Sequence, residues 1–340
     1  MIHKRNLSKW LCCALLIGTL GMQTVRGEKT TGIIGKNEWL FYGYELTDAG
    51  DGPGTQASME LIQQFDQLLQ KKGIKLVVTM VPIKMRLYAA HLPETIKLND
   101  YMLSNYDRMS NALRAFGVST VDLNTAFLNS PMRNSDTPLY FKLDTHWSTT
   151  GAMLAAETIE KTLMADSELR KILASVPAQA YKMTLGKFKR PSNGRDILQL
   201  LPPDSPAKKY AFDRFFQVTI TRVGPVGTDL LGKQDPIDFS LVGTSYSMDW
   251  TGFADALRFT LQKEIFSMGI GADQGYWTGM ESYLRDEAFQ QKPPKLLIWE
   301  IPERDMVAPP DHKYRNVRYR MSNTEWIKRV TALVNKAAQP

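Results

Sequence analysis

The sequence predicts an α/β fold with a mostly parallel central sheet, and three observations carry that reading. Helix-period and strand-period segments alternate along the chain. The strand segment "IKLVVTMVP" is a near-continuous apolar run, as expected of a strand buried on both faces. The connections between segments are short, which favours right-handed crossovers. The first unit is "ASMELIQQFDQLLQKKG", with Leu61, Ile62, Phe65, Leu68 and Leu69 on one helical stripe and Gly73 as its stop. "IKLVVTMVP" (Ile74 to Pro82) follows as a strand. "YDRMSNALRAFG" reads as the next helix and "VSTVDL" (Val118 to Leu123) as its strand. "TTGAMLAAETIEKTLMA" is a helix for which Ser148 is a suitable N-cap. "PIDFSLVG" (Pro236 to Gly243) is a strand, "WTGFADALRFTL" a helix, and "GYWTGMESYLRDEAF" with "PKLLIWEIP" repeats the order once more. Residues from about 175 to 235 break the rhythm, being rich in Pro, Gly and Lys/Arg. They are expected to form an irregular insertion, with a small β element in "FFQVTITRV".

The N-terminus stands apart from this pattern. Lys4, Arg5 and Lys9 precede the uncharged run "WLCCALLIGTLGM", and Gly27 offers a small residue at a cut. Residues 1–27 are expected to be an export signal, with an uncleaved signal-anchor as the alternative. Residues 28–340 then form the globular domain. Both cysteines, Cys12 and Cys13, fall in the signal. Neither a disulfide framework nor a cysteine-ligated metal is expected downstream. The expected location is the periplasm of a Gram-negative bacterium, with an inner-membrane tether if the segment is retained. Four of the positive charges (Lys4, Arg5, Lys9, Arg26) also lie there, so the net charge of +7 drops to +3 without them. That balance gives no support to nucleic acid as a partner, though it would tolerate a polyanionic substrate.

Chemistry is expected at two motifs. "FKLDTHWSTTGA" places Asp144 two residues before His146 at a helix start, and His146 alone among the four histidines has such neighbours. "SLVGTSYSMDW" places Ser245 after a strand and before a helical pattern. A small residue followed by Ser at such a turn exposes a nucleophile at the carboxyl end of a strand, with helix N–H groups behind it for an oxyanion. A serine hydroxyl needs a base, and an imidazole serves if a carboxylate fixes its tautomer. Ser245, His146 and Asp144 supply one candidate for each role. Such a site needs no cofactor, and the scarcity of His and Cys leaves metal-assisted hydrolysis few ligands.

"DTHW" before a Gly-Ala helix start, with "GTSY" after a downstream strand, resembles the alginate O-acetyltransferase family of AlgJ and AlgX proteins. "GKNEWLFY" (Gly35 to Tyr42), "VPIKMRLY" (Val81 to Tyr88) and "LLIWEIPER" (Leu296 to Arg304) agree with it. The resemblance implies an SGNH-hydrolase-like three-layer fold with a permuted catalytic order. It implies Ser245 as the acetyl-accepting nucleophile, His146 as base and Asp144 as the orienting carboxylate. The family's usual oxyanion glycine and asparagine do not transfer cleanly. The Ser245 and Tyr246 N–H groups, with Gly269 and Gly271 of "GIGADQG", are the substitutes considered. Only about 36 residues follow Arg304, too few for a C-terminal carbohydrate-binding module, so the arrangement is nearer to AlgJ.

The function expected on this resemblance is periplasmic O-acetylation of an exopolysaccharide such as alginate or cellulose. A membrane-bound O-acyltransferase would be the donor-side partner, alongside other polysaccharide-secretion proteins. Trp147 could stack on a sugar ring or wedge the core, and Trp250 and Tyr246 share that ambiguity. Lys84 and Arg304 could bind a uronate carboxylate or pair with acids at the sheet edge. The alternatives are an acetylesterase with the same triad, where the difference is water exclusion, and a non-catalytic assembly component.

Overall fold

Strand formation begins with a short hairpin. β1 (Gly32–Ile34) pairs antiparallel with β2 (Leu40–Tyr42). Asn37 and Glu38 take positive φ in the turn between them. The computed structural model describes residues 32–189, 195–224, 237–271 and 274–340. The expected export segment, residues 1–27, lies outside them, as do parts of the insertion.

The main sheet is built from five strands. β3 (Lys75–Val81), β4 (Ser119–Val121), β7 (Phe239–Gly243), β8 (Phe266–Gly269) and β9 (Leu296–Pro302) align in the order β4-β3-β9-β7-β8. Every pairing is parallel. β9 is buried along its whole length, as expected of a central strand. Four of these strands were legible in the sequence. β8 was not: "FSMG" is a half-buried edge strand next to a glycine-rich turn.

Helices cover the sheet in two layers. α1 (Gly52–Lys71) buries Leu61, Ile62, Phe65 and Leu69 and carries Pro in its first turn. Gly73 follows it at φ +82°, the left-handed turn that ends it. Beyond β3 come α2 (Lys84–Leu87), α3 (Asp100–Ala115), α4 (Leu123–Asn129), α5 (Thr149–Ala165) and α6 (Ser167–Ser175). The insertion carries a hairpin, β5 (Tyr181–Lys189) with β6 (Phe215–Arg222), and between its strands the single turn α7 (Asp196–Gln199). α8 (Phe253–Leu261), α9 (Gly275–Arg285), α10 (Glu287–Gln291) and α11 (Asn323–Lys336) complete the chain. α1, α9 and α11 pack on one another, on β3 and on β7; α4, α5 and α8 form the opposite layer. Trp299 of β9 meets Phe65, Trp277 and Trp326 in the first layer. The next residue, Glu300, points the other way, since side chains alternate along a strand. No helix among the described residues is long and apolar enough to cross a membrane.

This topology sets where a site can form. β3, β9 and β7 are neighbours, and the residues after their carboxyl ends are Lys84, Arg304 and Ser245. Open α/β sheets place ligands at this edge.

Candidate active site

The base loop folds back on itself before it reaches α5. Ser148 N–H donates to Leu139 O at 2.8 Å, and Phe141 N–H to His146 O at 3.2 Å. Asp144 and Thr145 are thereby left at the tip. Ser148 caps α5, accepting from Thr150 N at 3.1 Å and Gly151 N at 3.4 Å, as its position in the sequence suggested. Gly151 is required here, because an added Cβ would lie 2.2 Å from Leu139 O.

At the tip the three predicted residues form a continuous hydrogen-bonded line. His146 Nε2 is 2.7 Å from Ser245 Oγ, and His146 Nδ1 is 2.6 Å from Asp144 Oδ1. The His146 backbone N–H also donates to Asp144 Oδ1 at 2.9 Å. This local turn lets an acid only two residues away reach the ring. Asp144 is buried, which by itself would raise its pKa. The hydrogen bond and charge of His146, with two backbone N–H donors, instead hold it well below the usual carboxylate range. It stays an anion ready to orient and stabilise an imidazolium.

A second acid, which sequence reasoning missed, joins this line. Asp196 of α7 accepts from Thr145 N at 2.8 Å and Thr145 Oγ1 at 2.6 Å. Its own N–H donates to Asp144 Oδ2 at 2.7 Å, and its carboxylate lies 3.6 Å from His146 Nδ1. Partial burial, then the Asp144 charge, raise its pKa. Donor atoms of Asp144, His146 and Asp196 lie within 4.8 Å of one another. The oxygens are already taken up by these hydrogen bonds. α7 is anchored by Ile197 and Leu198, which pack with Leu40 and Leu143 in a small core of their own. The only sequence signal was an Asp opening a short apolar run within an irregular stretch.

The nucleophile sits on a different structure from the one expected. Ser245 opens a 3-10 turn, Ser245–Ser247, and α8 begins only at Phe253. No long helix stands directly behind the serine. Glu300 holds the turn instead. Its carboxylate accepts from Thr244 N at 2.7 Å, Thr244 Oγ1 at 3.0 Å and Ser247 Oγ at 3.0 Å. Gly243 makes this possible, since a Cβ there would lie 2.2 Å from Ser247 Oγ and 2.4 Å from Glu300 Oε2. Burial raises Glu300 from 4.5 to about 7 against the pull of those donors.

The remaining expected site residues divide. Lys84 is fully buried and faces no substrate. Its ammonium donates to Leu40 O at 2.6 Å, Lys142 O at 2.9 Å and Asp144 O at 2.8 Å. Arg304 is likewise committed, donating to Tyr246 Oη at 2.9 Å. Tyr246 in turn donates from its hydroxyl to Thr145 O at 2.5 Å, so it is a strut between the two loops rather than a substrate contact. Its N–H turns back toward Thr244 Oγ1 at 3.4 Å. Trp147 is fully buried against Phe253, Tyr246 and Phe127, which makes it the core wedge of the two readings. Gly269 lies under the nucleophile turn, where a Cβ would meet Met248 N and Ser247 C at 2.8 Å, so its bareness serves packing. The Gly271 carbonyl accepts from Gln274 and Gly275 at the start of α9. Among the suggested oxyanion donors, the Ser245 and Gly271 N–H groups have no backbone partner among the described residues. Trp250 is exposed and stands edge-on to His146.

Comparison with known proteins agrees with this architecture. The family described as "SGNH hydrolase-like domain, acetyltransferase AlgX" matches residues 33–303. The probable alginate O-acetylase AlgJ of Pseudomonas aeruginosa is 32% identical over 293 residues, covering 80% of this chain and 69% of that protein. The alginate biosynthesis protein AlgX of Pseudomonas putida is 27% identical over 280 residues, 80% of this chain but 56% of that protein. Among solved structures, the O-acetyltransferase domain of Pseudomonas putida AlgJ superposes with a TM-score of 0.72 at 25% identity, over 88% of this chain and 98% of that one.

Proposed function

The chain belongs to the family of SGNH hydrolase-like acetyltransferase domains that contains AlgX and AlgJ, and we propose that it acetylates hydroxyl groups of an exopolysaccharide, alginate or a similar polymer such as cellulose, through an acetyl-serine intermediate. The observation that carries this is the unbroken line from Ser245 Oγ through His146 to Asp144 at the carboxyl edge of the sheet. In the first half-reaction Ser245 Oγ attacks the acetyl carbonyl of the donor, and its proton passes to His146 Nε2. The tetrahedral intermediate expels the donor's leaving group, which takes the proton back from His146. In the second, a sugar hydroxyl attacks the acetyl-serine while His146 accepts its proton. Collapse forms the sugar ester and returns the proton to Ser245. In this reading the Ser245 N–H supplies one oxyanion donor.

The same reading places the domain in the periplasm. A membrane-bound O-acyltransferase supplies acetyl groups on the donor side, and other polysaccharide-secretion proteins act alongside.

The test incubates the protein with an acetyl-donor ester, with and without deacetylated polysaccharide. Polymer is expected to gain acetyl and to raise turnover. Acetate release that polymer never enhances would instead make the protein an esterase. Ser245→Ala should lose several orders of magnitude in donor turnover. Full activity in that variant refutes the serine mechanism.

A further inference from the structure

Trp250 is the aromatic ring that faces both the triad and solvent. Its centroid is 4.9 Å from that of His146, at 77°, and the residue is 37% exposed. The other described indoles, of Trp39, Trp147, Trp277, Trp299 and Trp326, are buried. Trp250 is also a wall of a cleft of about 450 Å3 that lies between the start of α5, β6 and the turn before α8. Met153, Val218 and Ile220 give the cleft apolar sides, and Asp249 and Asp255 bring carboxylates to it; no Lys or Arg among the described residues lines it. Asp255 is paired with Arg258 at 2.8 Å, which leaves Asp249 as the cleft carboxylate without an ion-pair partner among the described residues.

The apolar side does not stop at the cleft. Met183 is opposite Ile220 and Leu185 opposite Val218 in the β5–β6 register, and directly opposed residues stand on one face of a hairpin. Met183 is 38% exposed and Leu185 63%. An apolar strip therefore runs from Trp250, beside the base, across β6 and out onto β5. Isolated exposed hydrophobes need no explanation, but a contiguous strip that ends at a reactive centre does.

Resting on the acetyl-transfer reading above, we propose that this strip is the acceptor subsite and takes pyranose rings of a polysaccharide by their C–H faces. Trp250 stacks on the ring whose hydroxyl is presented to His146 and Ser245. Asp249 accepts hydrogen bonds from sugar hydroxyls, and the β5 end supports rings farther along the chain. Aromatic faces with a few polar acceptors are the usual composition of such sites. The same ring chemistry is offered by a polyuronate and by a neutral glucan.

The test titrates the full chain with a deacetylated oligomannuronate and, separately, a β-glucan oligomer. The readouts are tryptophan emission and acetyl transfer. At least one oligomer should change the emission, and the one that does identifies the source. Trp250→Ala should remove that change and weaken binding tenfold or more. It should also lower transfer to that glycan at least tenfold more than it lowers donor-ester hydrolysis. Leu185→Ser should weaken a long oligomer more than a disaccharide. The proposal is overturned if neither glycan binds, if affinity survives Trp250→Ala, or if both activities fall equally. Ser245→Ala separates the two ideas. It should bind glycan while losing the chemistry, so retained chemistry counts against the serine mechanism and lost binding against the subsite alone.

Discussion

The two loops that meet at the active site are braced from below by opposite charges. Beneath the base loop, the ammonium of Lys84 uses its three donors on three backbone carbonyls, one of them that of Asp144. Beneath the nucleophile turn, the carboxyl of Glu300 collects an N–H and two hydroxyls from Thr244 and Ser247. The difference follows from what each loop leaves unpaired. The base loop folds back as an irregular hairpin and turns carbonyls inward, so only a cation or another donor satisfies them. The nucleophile turn leaves a strand and points donors inward, so an acceptor is needed. Both braces sit just past or at the ends of adjacent strands, β3 and β9. Each also carries a cost, since a buried charge is stable only while its partners hold.

Lys84→Met should be the most damaging way to break the symmetry. Methionine fills the volume but leaves the Leu40 and Asp144 carbonyls without a donor, Lys142 O keeping the N–H of Leu40 at 2.9 Å; each such loss costs about 1–3 kcal/mol. A stability loss of roughly 3 kcal/mol or more in urea denaturation is expected. Donor-ester turnover should fall about 100-fold, because the Asp144 backbone is freed. Wild-type turnover in a stable Lys84→Met protein would show that Lys84 has no hold on the triad.

Glu300 should be easier to replace, provided the substitute still accepts. In Glu300→Gln the amide oxygen can take the place of Oε2, accepting from Thr244 N, and the amide nitrogen can donate to Thr244 Oγ1. Turnover within tenfold of wild type is expected. Glu300→Ala strands the Thr244 N–H and leaves the turn unpinned, so a loss of about 100-fold is expected. Equal kinetics for the two variants would contradict the bracing role.

The two braces also give stability opposite slopes in pH. Burial raises Glu300 from 4.5 to about 7. Between those values the unfolded chain is ionised and the folded one protonated, so stability falls as pH rises, by on the order of 3 kcal/mol. Burial lowers Lys84 from 10.5 to about 8. Between those values the unfolded chain holds the extra proton, so stability rises with pH by a similar amount, on the order of 3 kcal/mol. Together they place a trough near pH 7–8. Denaturation curves from about pH 4 to about pH 11 should show Glu300→Gln flattening the acid side and Lys84→Met the alkaline side. A variant-minus-wild-type difference with no pH dependence in these windows would refute the assignment.

What the sequence disclosed about the site follows the same division. Asp144, His146 and Ser245 were readable because their chemistry is carried by short motifs next to regular elements. The three inner strands, β3, β9 and β7, were readable because burial on both faces favours an apolar run. The edge strand β8 and the hairpin of β1 and β2 were not, because three or four residues are too few to show a period. Lys84 and Arg304 were noticed, with a uronate carboxylate or acids at the sheet edge as their partners. A charged residue after a strand looks the same in sequence whether it faces solvent or a ring of carbonyls. Only the fold-back of residues 139–148, a tertiary event, decides between them. The 3-10 turn after Gly243 was taken for a helix start because both begin with Thr-Ser; the pull of Glu300, 56 residues later, is what tightens it.

Asp196 is the case in which sequence carried the least and the structure adds the most. It comes from the insertion, with no motif around it, and reaches the back of the triad through Thr145 and Asp144. Unlike Lys84 and Glu300 it remains partly exposed, so its influence on the charge next to it is screened. Asp196→Asn keeps the bond from Thr145 N and the backbone donation to Asp144, turns the bond with Thr145 Oγ1 into a donation from the amide, and removes the charge 3.6 Å from His146 Nδ1. In the proposed mechanism that charge favours the imidazolium formed during acyl transfer. Its loss should slow donor turnover about tenfold or less, the smallest effect of the series. Asp196→Ala, which removes the contacts to Thr145 as well, should slow turnover further. Wild-type turnover in Asp196→Asn, with a loss only in Asp196→Ala, would reduce Asp196 to a structural tie.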